Sequence, residues 1–361
     1  MPTPVEIQIG GRSLALGEAM LVIAELGLNH NGDIDLALRL VDAAADAGAS
    51  AIKVQAFRAE QLIAQNAPAP AHVAATSLRD LFRKFELDAE SYRRIVARAR
   101  AAGMAVIATA FDSATIQQFD VLDIDAFKIA SGDLTHVALI EAAARTSRPL
   151  IFSTGMSHQE DVDNAMDWAV GAGARALAVL HCVSAYPTPD DQQNLRALQS
   201  LARTCRCPVG LSDHGMGRDA AVIAYALGAT LYERHLHLPG TDAIDAAVSS
   251  SPEELREIVQ AVARCQLALG DGRRSPMPAE IANIYPSRRG LYAARALQVG
   301  DVITDADIEA LRPAAGLGAQ FHRSLIGRRV TRSIEPGASF EVADLGSAEI
   351  EPGQEEPPSG A

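Results

Sequence analysis

Short apolar runs alternate with Ala-rich stretches along most of this chain, and the two kinds of segment carry different periods. The runs at 21–25, 51–55, 105–109, 126–129, 150–153, 176–181, 209–212 and 231–235 are four to six residues of mostly apolar or β-branched side chains, the pattern of strands buried on both faces. Each precedes a stretch long enough for a helix, with apolar positions at helical spacing. Eight strand-then-helix units spread over about 250 residues predict a closed parallel (β/α)8 barrel, a TIM barrel.

The alternation is interrupted at three places. The opening VEIQIGGRSLALG reads as a hairpin, and the connection 58–84 is long, with Pro68 and Pro70 in an Ala/Gln-rich setting. Long loops on that side of a barrel are often functional. From Leu267 the pattern dissolves into GDGRRSPMPAEIANIYPSRRG, after which short apolar runs are broken by turns such as QVGD and IEPG. The division expected is a barrel domain with its hairpin over 1–270, a linker over 271–287, a small domain over 288–347 and a disordered tail over 348–361. The tail, acidic and Pro-rich, carries too little apolar surface to offset the entropy of ordering.

Composition narrows the function. With 48% hydrophobic and 21% charged residues the chain can bury a large core. A net charge of −13 and a pI near 5.2 argue against a broad nucleic-acid surface, which needs clustered Lys and Arg. Any anion must be met in a local pocket. No leader-like apolar segment opens the sequence and no run approaches a membrane span, so cytoplasmic residence without membrane contact is expected. Cys182, Cys205, Cys207 and Cys265 lack a disulfide-framework spacing and read as free thiols.

Barrel enzymes place their chemistry at the C-terminal ends of the strands, and the predicted strand ends here are polar. They are Glu25, with Asn29 and His30 just after; Lys53 with Gln55; Thr109; Lys128 with Ser131 and Asp133; Ser153 with Thr154; His181; Ser212 with Asp213 and His214; and His235. An unpaired ammonium is costly in an apolar strand, so Lys53 and Lys128 call for anionic partners. Carboxylates of the chain could serve. Two lysines beside Ser131-Gly132, Ser153-Thr154-Gly155 and Ser212 instead suggest a bound phosphate and carboxylate, since small hydroxyls and Gly-exposed N–H groups suit oxyanions. His214 and His235 end consecutive strands and could share one divalent metal, leaving positions open for water and substrate. Glu25 is either a lysine partner or a general base; Asp133, Asp213, Asp242 and Asp245 are further acid/base candidates or turn carboxylates.

The segments IAELGLNHNGDIDLALRLVDAAADAGASAIKVQAF, FKIASGD, IFSTGM, HCVSAYPTP, VGLSDHG and ERH, in this order, together resemble the sialic acid (N-acetylneuraminate) synthase family. The likeness extends to Ser287–Leu345, similar to that family's antifreeze-like (SAF, β-clip) domain, with SIEPGA at its turn signature. The resemblance implies a synthase that joins phosphoenolpyruvate to N-acetylmannosamine or a diacetamido-trideoxyhexose, releasing phosphate by C–O cleavage. It implies a divalent metal, Mn2+ ahead of Mg2+ or Co2+, on His214 and His235. It places the phosphoenolpyruvate on Lys53, Lys128, Ser131, Ser153 and Ser212 with Thr109 nearby, and catalysis on these lysines and histidines with Glu25 and Asp133. Sugar-side contacts fall on Ser184, on Asp242 or Asp245, and on Arg312 in LRPAAG, with Gln55 and Tyr186 as further substrate-binding residues. A homodimer follows, each cap domain serving the other subunit's barrel. The sequence departs from the family pattern at Ser184, where Asn is frequent, at Ala110 in Thr-Ala-Phe, at Asp133, where Glu is frequent, and in a shortened loop after His235. A barrel of this kind that binds without turnover, and an aldolase using Lys53 or Lys128 as a Schiff base, are the competing readings.

Overall fold

The computed structural model describes residues 7–68 and 77–348. The expected tail at 348–361 lies, beyond its first residue, outside them. The chain divides into two compact units, Met1–Asp271 and Gly272–Ala361.

The first unit opens with an antiparallel hairpin, β1 (Gln8–Ile9) and β2 (Arg12–Ser13), turned at Gly10 and Gly11 with φ of +58° and +75°. Glycine is the residue that takes such angles without strain. A Cβ on Gly10 would lie 2.5 Å from that of Ala105, so the hairpin can sit flush against the barrel. Ile7, Ile9 and Leu14 bury in one cluster with the inward-facing Leu21, Ile23, Ala105 and Leu231. The hairpin therefore closes the N-terminal end of the barrel with apolar side chains.

Eight parallel strands follow: β3 (Leu21–Glu25), β4 (Ala51–Ala56), β5 (Ala105–Ala110), β6 (Ala126–Ile129), β7 (Leu150–Ser153), β8 (Leu177–Cys182), β9 (Val209–Asp213) and β10 (Leu231–His235). They form a closed barrel in sequence order, with β10 pairing back to β3. This is the (β/α)8 architecture the alternation predicts. The sixth barrel strand is shifted: the run expected at 176–181 starts and ends one residue later, at Leu177 and Cys182. Alternation from the inward Ala178 and Leu180 turns His181 outward, where its Nε2 lies 2.8 Å from the Gln193 carbonyl oxygen, and Cys182 inward.

The helices are α1 (Ile34–Ala47), α2 (Ala59–Leu62), α3 (Leu78–Arg83), α4 (Ala89–Ala101), α5 (Ser113–Asp120), α6 (Val137–Ala144), α7 (Gln159–Gly171), α8 (Ala197–Cys205), α9 (Asp219–Ala226) and α10 (Pro252–Leu269). Local chemistry sets their ends. Asp33 accepts from the Asp35 and Leu36 N–H groups to start α1, and Gly48 at φ +88° stops it. Ser251 and Glu254 form a capping box at α10, with Pro252 at its first position. In α1 the spacing of Leu36, Leu40, Val41, Ala44 and Ala47 lays one apolar stripe on the barrel wall. The long connection after β4 holds α2 and α3 and packs a small core of its own, in which Leu28, Phe57, Leu81 and Phe85 are buried.

The second unit begins in the stretch expected as linker, which contains α11 (Ile281–Ser287). Two antiparallel pairs follow: β11 (Gly290–Ala293) with β12 (Ile308–Leu311), and β13 (Arg328–Val330) with β14 (Leu345–Ala348), with α12 (His322–Leu325) between. A duplicated motif builds this unit. Asp307 caps the turn at Thr304 and receives Arg295; Asp344 caps the turn at Glu341 and receives Arg332. Arg295 and Arg332, Leu297 and Ile334, and Ile303 and Phe340 keep one constant offset with the two aspartates. Buried carboxylates here are thus fully spoken for by structure. Among the described residues no helix is long and apolar enough to cross a membrane.

Two predictions follow from the packing. A Cβ on Gly210 of β9 would come within 2.7 Å of Leu180 Cδ2 and closer still to the Leu231 carbonyl oxygen. Gly210→Ala is therefore expected to lower stability by ~1–3 kcal/mol or more through overpacking, read as the urea midpoint; an unchanged midpoint would show a looser barrel interior. His30, buried in the β3–α1 loop, accepts from the Gly32 N–H, and burial, opposed weakly by Asp33, lowers its pKa from 6.5 to about 4. The folded chain thus resists a proton that the unfolded chain takes near pH 6.5, so this stability is intact above 6.5 and is lost as pH falls toward 4. His30→Asn, which keeps a local acceptor without the titration, should narrow or reverse its stability gap to the parent between pH 7 and pH 5; a parallel pH dependence would exclude His30 as a source.

Candidate active site

Side chains alternate along each barrel strand, and this alternation decides which of them enter the site. In the lower barrel the inward positions are apolar, Leu21, Ile23, Ala51, Ile107, Leu180 and Leu231 among them. Toward the C-terminal ends the same faces turn polar: Glu25 follows Ile23, Lys53 follows Ala51, Thr109 follows Ile107, and Glu233 follows Leu231, all buried. Lys128, Ser153 and Ser212 complete this layer from β6, β7 and β9. Gln55, Cys182, His214 and His235 sit at the rim of the strands.

Four charged groups meet at the floor. Lys53 Nζ lies 2.6 Å from Glu25 Oε2 and donates to Glu233 Oε1 at 2.8 Å; Lys128 Nζ donates to the same Glu233 oxygen at 2.7 Å, and Ser212 Oγ at 2.9 Å. Glu25 also accepts from the Gly27 N–H. The ammoniums, which the sequence suggested an external anion would neutralise, are held by two carboxylates of the chain, so a bound anion has to share them. Burial works to raise the Glu233 pKa, but Lys128 and Lys53 outweigh it and hold the carboxyl well below its usual range. Burial lowers the Lys53 pKa to about 7, with Glu233 opposing and Lys128 adding to the effect. For Lys128 burial again works downward, yet the Glu233 charge leaves its pKa raised.

Around this cluster several buried polar atoms have no hydrogen-bond partner: Glu233 Oε2, Thr109 Oγ1 and Ser153 Oγ in the floor, and His235 Nδ1 at the rim. Leaving such groups unpaired costs on the order of 1–3 kcal/mol each. Hydroxyls unpaired beside two ammoniums are placed to donate to an oxyanion.

The two histidines face one another, with ring centroids 5.5 Å apart. His214 Nδ1 is 3.1 Å from the Val183 carbonyl oxygen, an acceptor only, so that nitrogen is the N–H donor there and Nε2 is the ring nitrogen left for another partner. His235 is kept neutral, its pKa lowered well below the usual value by burial and then by His214, and Asp245 Oδ2 stands 3.5 Å from its Nδ1. Among the described residues no group of three or more His, Cys, Asp or Glu side chains is arranged to hold a metal ion. Two facing imidazoles, one with an unpartnered nitrogen, fit an ion that takes the rest of its coordination from water and substrate. A clamp behind β9 and β10 steadies the histidines: Asp213 accepts from Tyr232 Oη and the Gly215 N–H, both at 2.7 Å, and lies 3.3 Å from Arg234. Asp213 is thereby committed to structure rather than to proton transfer.

A cavity of about 560 Å³ opens above the floor. It gathers Lys53, Gln55, Thr109, Lys128, Ser131, Asp133, Ser153, Ser184, Tyr186, Ser212, His214, His235 and Asp245 of the residues singled out from the sequence. Glu25 is not in its lining; it is fully buried, beside Lys53 on the neighbouring strand. Asp242 is exposed outside the lining and holds Asn31 through its carbonyl oxygen at 2.6 Å, so of the two aspartates in that loop Asp245 faces the cavity. Arg312 belongs to the second unit and is exposed there. Burial raises the pKa of both Asp133 and Asp245.

Glu233 was not among the candidates, although it is the hub of the floor. Its position two residues before His235 puts both on one strand face, and that spacing was the available signal. Cys182, read only as a free thiol, lines the cavity with its Sγ 3.8 Å from His214 Nδ1. Asn29 was noted but given no task; its amide donates at 2.9 Å to both the Leu236 carbonyl and Ser249 Oγ and accepts from the Asp245 N–H. It ties the loop carrying Asp245 to β3.

Comparison with known proteins agrees with this geometry. The NeuB family matches residues 40–274 and the SAF domain matches 288–345. N,N'-diacetyllegionaminic acid synthase of Campylobacter jejuni is 32% identical over 323 residues, covering 87% of this chain and 97% of that protein. A pseudaminic acid synthase of Campylobacter jejuni is 30% identical, covering 90% and 96%. The crystal structure of N-acetylneuraminic acid (sialic acid) synthetase from Leptospira borgpetersenii superposes with a TM-score of 0.71 at 32% identity, over 78% of this chain and 95% of that one.

Glu233→Gln keeps an acceptor but removes one of two charges balancing the buried ammoniums. It is expected to cost ~3–5 kcal/mol in urea denaturation at neutral pH; a loss under ~1 kcal/mol would mean that Glu25 alone suffices for both lysines.

Proposed function

The chain belongs to the NeuB family and carries a C-terminal SAF domain, and from that premise we propose that it condenses phosphoenolpyruvate with an N-acylated aminosugar, N-acetylmannosamine or a diacetamido-trideoxyhexose. The product is a nonulosonic acid. A carbon–carbon bond forms between C3 of phosphoenolpyruvate and the aldehyde carbon of the open-chain sugar, water adds at C2, and phosphate leaves with its bridging oxygen by C–O cleavage.

The observation that carries this reading is the floor: two buried ammoniums beside unpartnered hydroxyls of Thr109 and Ser153. Lys53 and Lys128 would bind the phosphate and carboxylate, with Ser131, Ser153 and Thr109 donating to their oxygens and Ser212 joining them by turning its hydroxyl from Glu233. With Glu25 and Glu233 ionised the four charged groups sum to zero. A multiply charged anion entering this neutral floor calls for added positive charge, which two imidazoles at the rim are suited to recruit as a metal ion. A divalent metal on His214 and His235, Mn2+ ahead of Mg2+ or Co2+, would supply Lewis acidity at the acceptor's aldehyde.

Proton handling divides between two carboxylates. Glu25 is engaged on both oxygens by Lys53 and Gly27, which supports a part in holding Lys53 rather than in exchanging protons. Asp133 lines the cavity and burial raises its pKa, which suits it to hold or release a proton to water at C2. In this proposal the chain works as a homodimer, with the partner subunit's Arg312 reaching the sugar's N-acyl group. One observation favours the Schiff-base alternative, the Lys53 pKa lowered to about 7, since a neutral amine is the nucleophile of that chemistry.

Phosphate release from phosphoenolpyruvate with Mn2+ and the candidate acceptors tests the proposal. Release should be abolished by chelation, restored by metal, and lowered by on the order of 10²-fold or more in His235→Ala. Borohydride should trap no adduct. Chelator-insensitive turnover with a reduced adduct on Lys53 would establish the aldolase instead.

A further inference from the structure

A second cavity, of about 600 Å³, opens beside the N-terminal end of the barrel, and the synthase reaction has no use for it. Leu14 and Leu16, just after β2, form one wall and Met166 and Val170 of α7 another. Leu177 and Val209, which start β8 and β9, form the back. These two side chains belong to the layer between strands and helices, so the cavity flanks the barrel rather than entering it. Leu16 at 78% and Val170 at 58% exposure leave apolar surface in water at the mouth, a cost that an apolar ligand removes.

The charge at this cavity is one-sided. The chain carries a net −13, yet no Asp or Glu lines the cavity, and its charged residues are Arg175 and Arg206. Both are exposed, and among the described residues neither guanidinium has an ion-pair or hydrogen-bond partner. The thiols in the lining add no negative charge: burial raises the Cys205 pKa and, helped by Cys205, pushes that of Cys207 up to about 12. Arg206 also sits against its backbone preference. It ends α8 at φ +53°, a left-handed position that glycine fills without strain, so the turn itself gives no reason for an arginine.

We propose that this cavity binds a free amphipathic carboxylate, a straight medium-chain fatty acid, with its chain against the leucines and α7 and its head on Arg175 and Arg206. The volume falls within the range of about 300–1,000 Å³ usual for small-molecule sites. The apolar walls supply affinity in proportion to the area they cover. The guanidiniums, whose planar forks match carboxylate oxygens, select the head group.

Equilibrium dialysis of labelled decanoate against the full chain tests this, with decanol and decyltrimethylammonium as head-group controls. Decanoate should bind more tightly than decanol by about 10- to 100-fold, as charge-assisted hydrogen bonds at the head give, and the cation more weakly than either. Arg206→Gly should lower decanoate affinity by about 10-fold while the urea midpoint holds or rises, since glycine suits that turn. Adding Arg175→Gln should bring decanoate down to the decanol level. Val170→Glu, a change at an exposed position, should abolish binding of both. Decanoate no tighter than decanol, or not bound at all, overturns the proposal. Retention of decanoate by the double arginine variant does the same, because it places the ligand elsewhere, such as on the lysines of the barrel floor.

Discussion

Lys53 and Lys128 donate to the same oxygen of Glu233 inside a closed barrel, and Glu25 pairs with Lys53 from the neighbouring strand. Burying two ammoniums this way is expensive in desolvation and tolerable only because each carboxylate is within hydrogen-bond distance. Such a cluster is weak evidence for stability and better evidence for purpose. It fixes the height of the floor, the spacing of the two cationic groups and the orientation of the hydroxyls around them. Every other feature of the mouth is built relative to it: the histidines one residue pair higher on β9 and β10, the Asp213 clamp behind them, and the loop that Asn29 ties down over them.

The barrel is sealed and opened by opposite chemistries at its two ends. At the N-terminal end the hairpin buries Ile7, Ile9 and Leu14 with the inward aliphatics, so that end is packed core. At the C-terminal end the same inward faces are polar, and the loops after β3, β4 and β5 add an apolar wall above them. The cavity is therefore layered, charged below and divided into a polar and an apolar side above.

The second unit shows how a small domain can be stabilised by repetition. Two copies of an Arg-to-Asp capped turn, at Arg295 with Asp307 and at Arg332 with Asp344, each deliver a strand into a shared apolar core. The turn residues Gly300 and Gly337 occupy equivalent places with φ of +94° and +78°. The same local solution, used twice, accounts for most of the buried charge of that unit.

Much of this was written in local pattern. Short, nearly continuous apolar runs between Ala-rich helical stretches specify eight strand-helix units, and the polar residues ending those runs mark one end of the barrel as the site, because strand direction is common to all eight. The residues Lys53, Lys128, His214 and His235 were legible for that reason. Glu233 was not, since an acidic residue inside an apolar strand gains its meaning only from the ammoniums that β4 and β6 bring to it from far away in sequence. The choice between Asp242 and Asp245, the outward turn of His181, and the wall made by Ile63 and Phe82 were likewise decided by tertiary structure. Sequence periodicity sets which face a side chain takes; closure of the barrel and the path of its loops set what that side chain meets, because those contacts join segments that share no local signal.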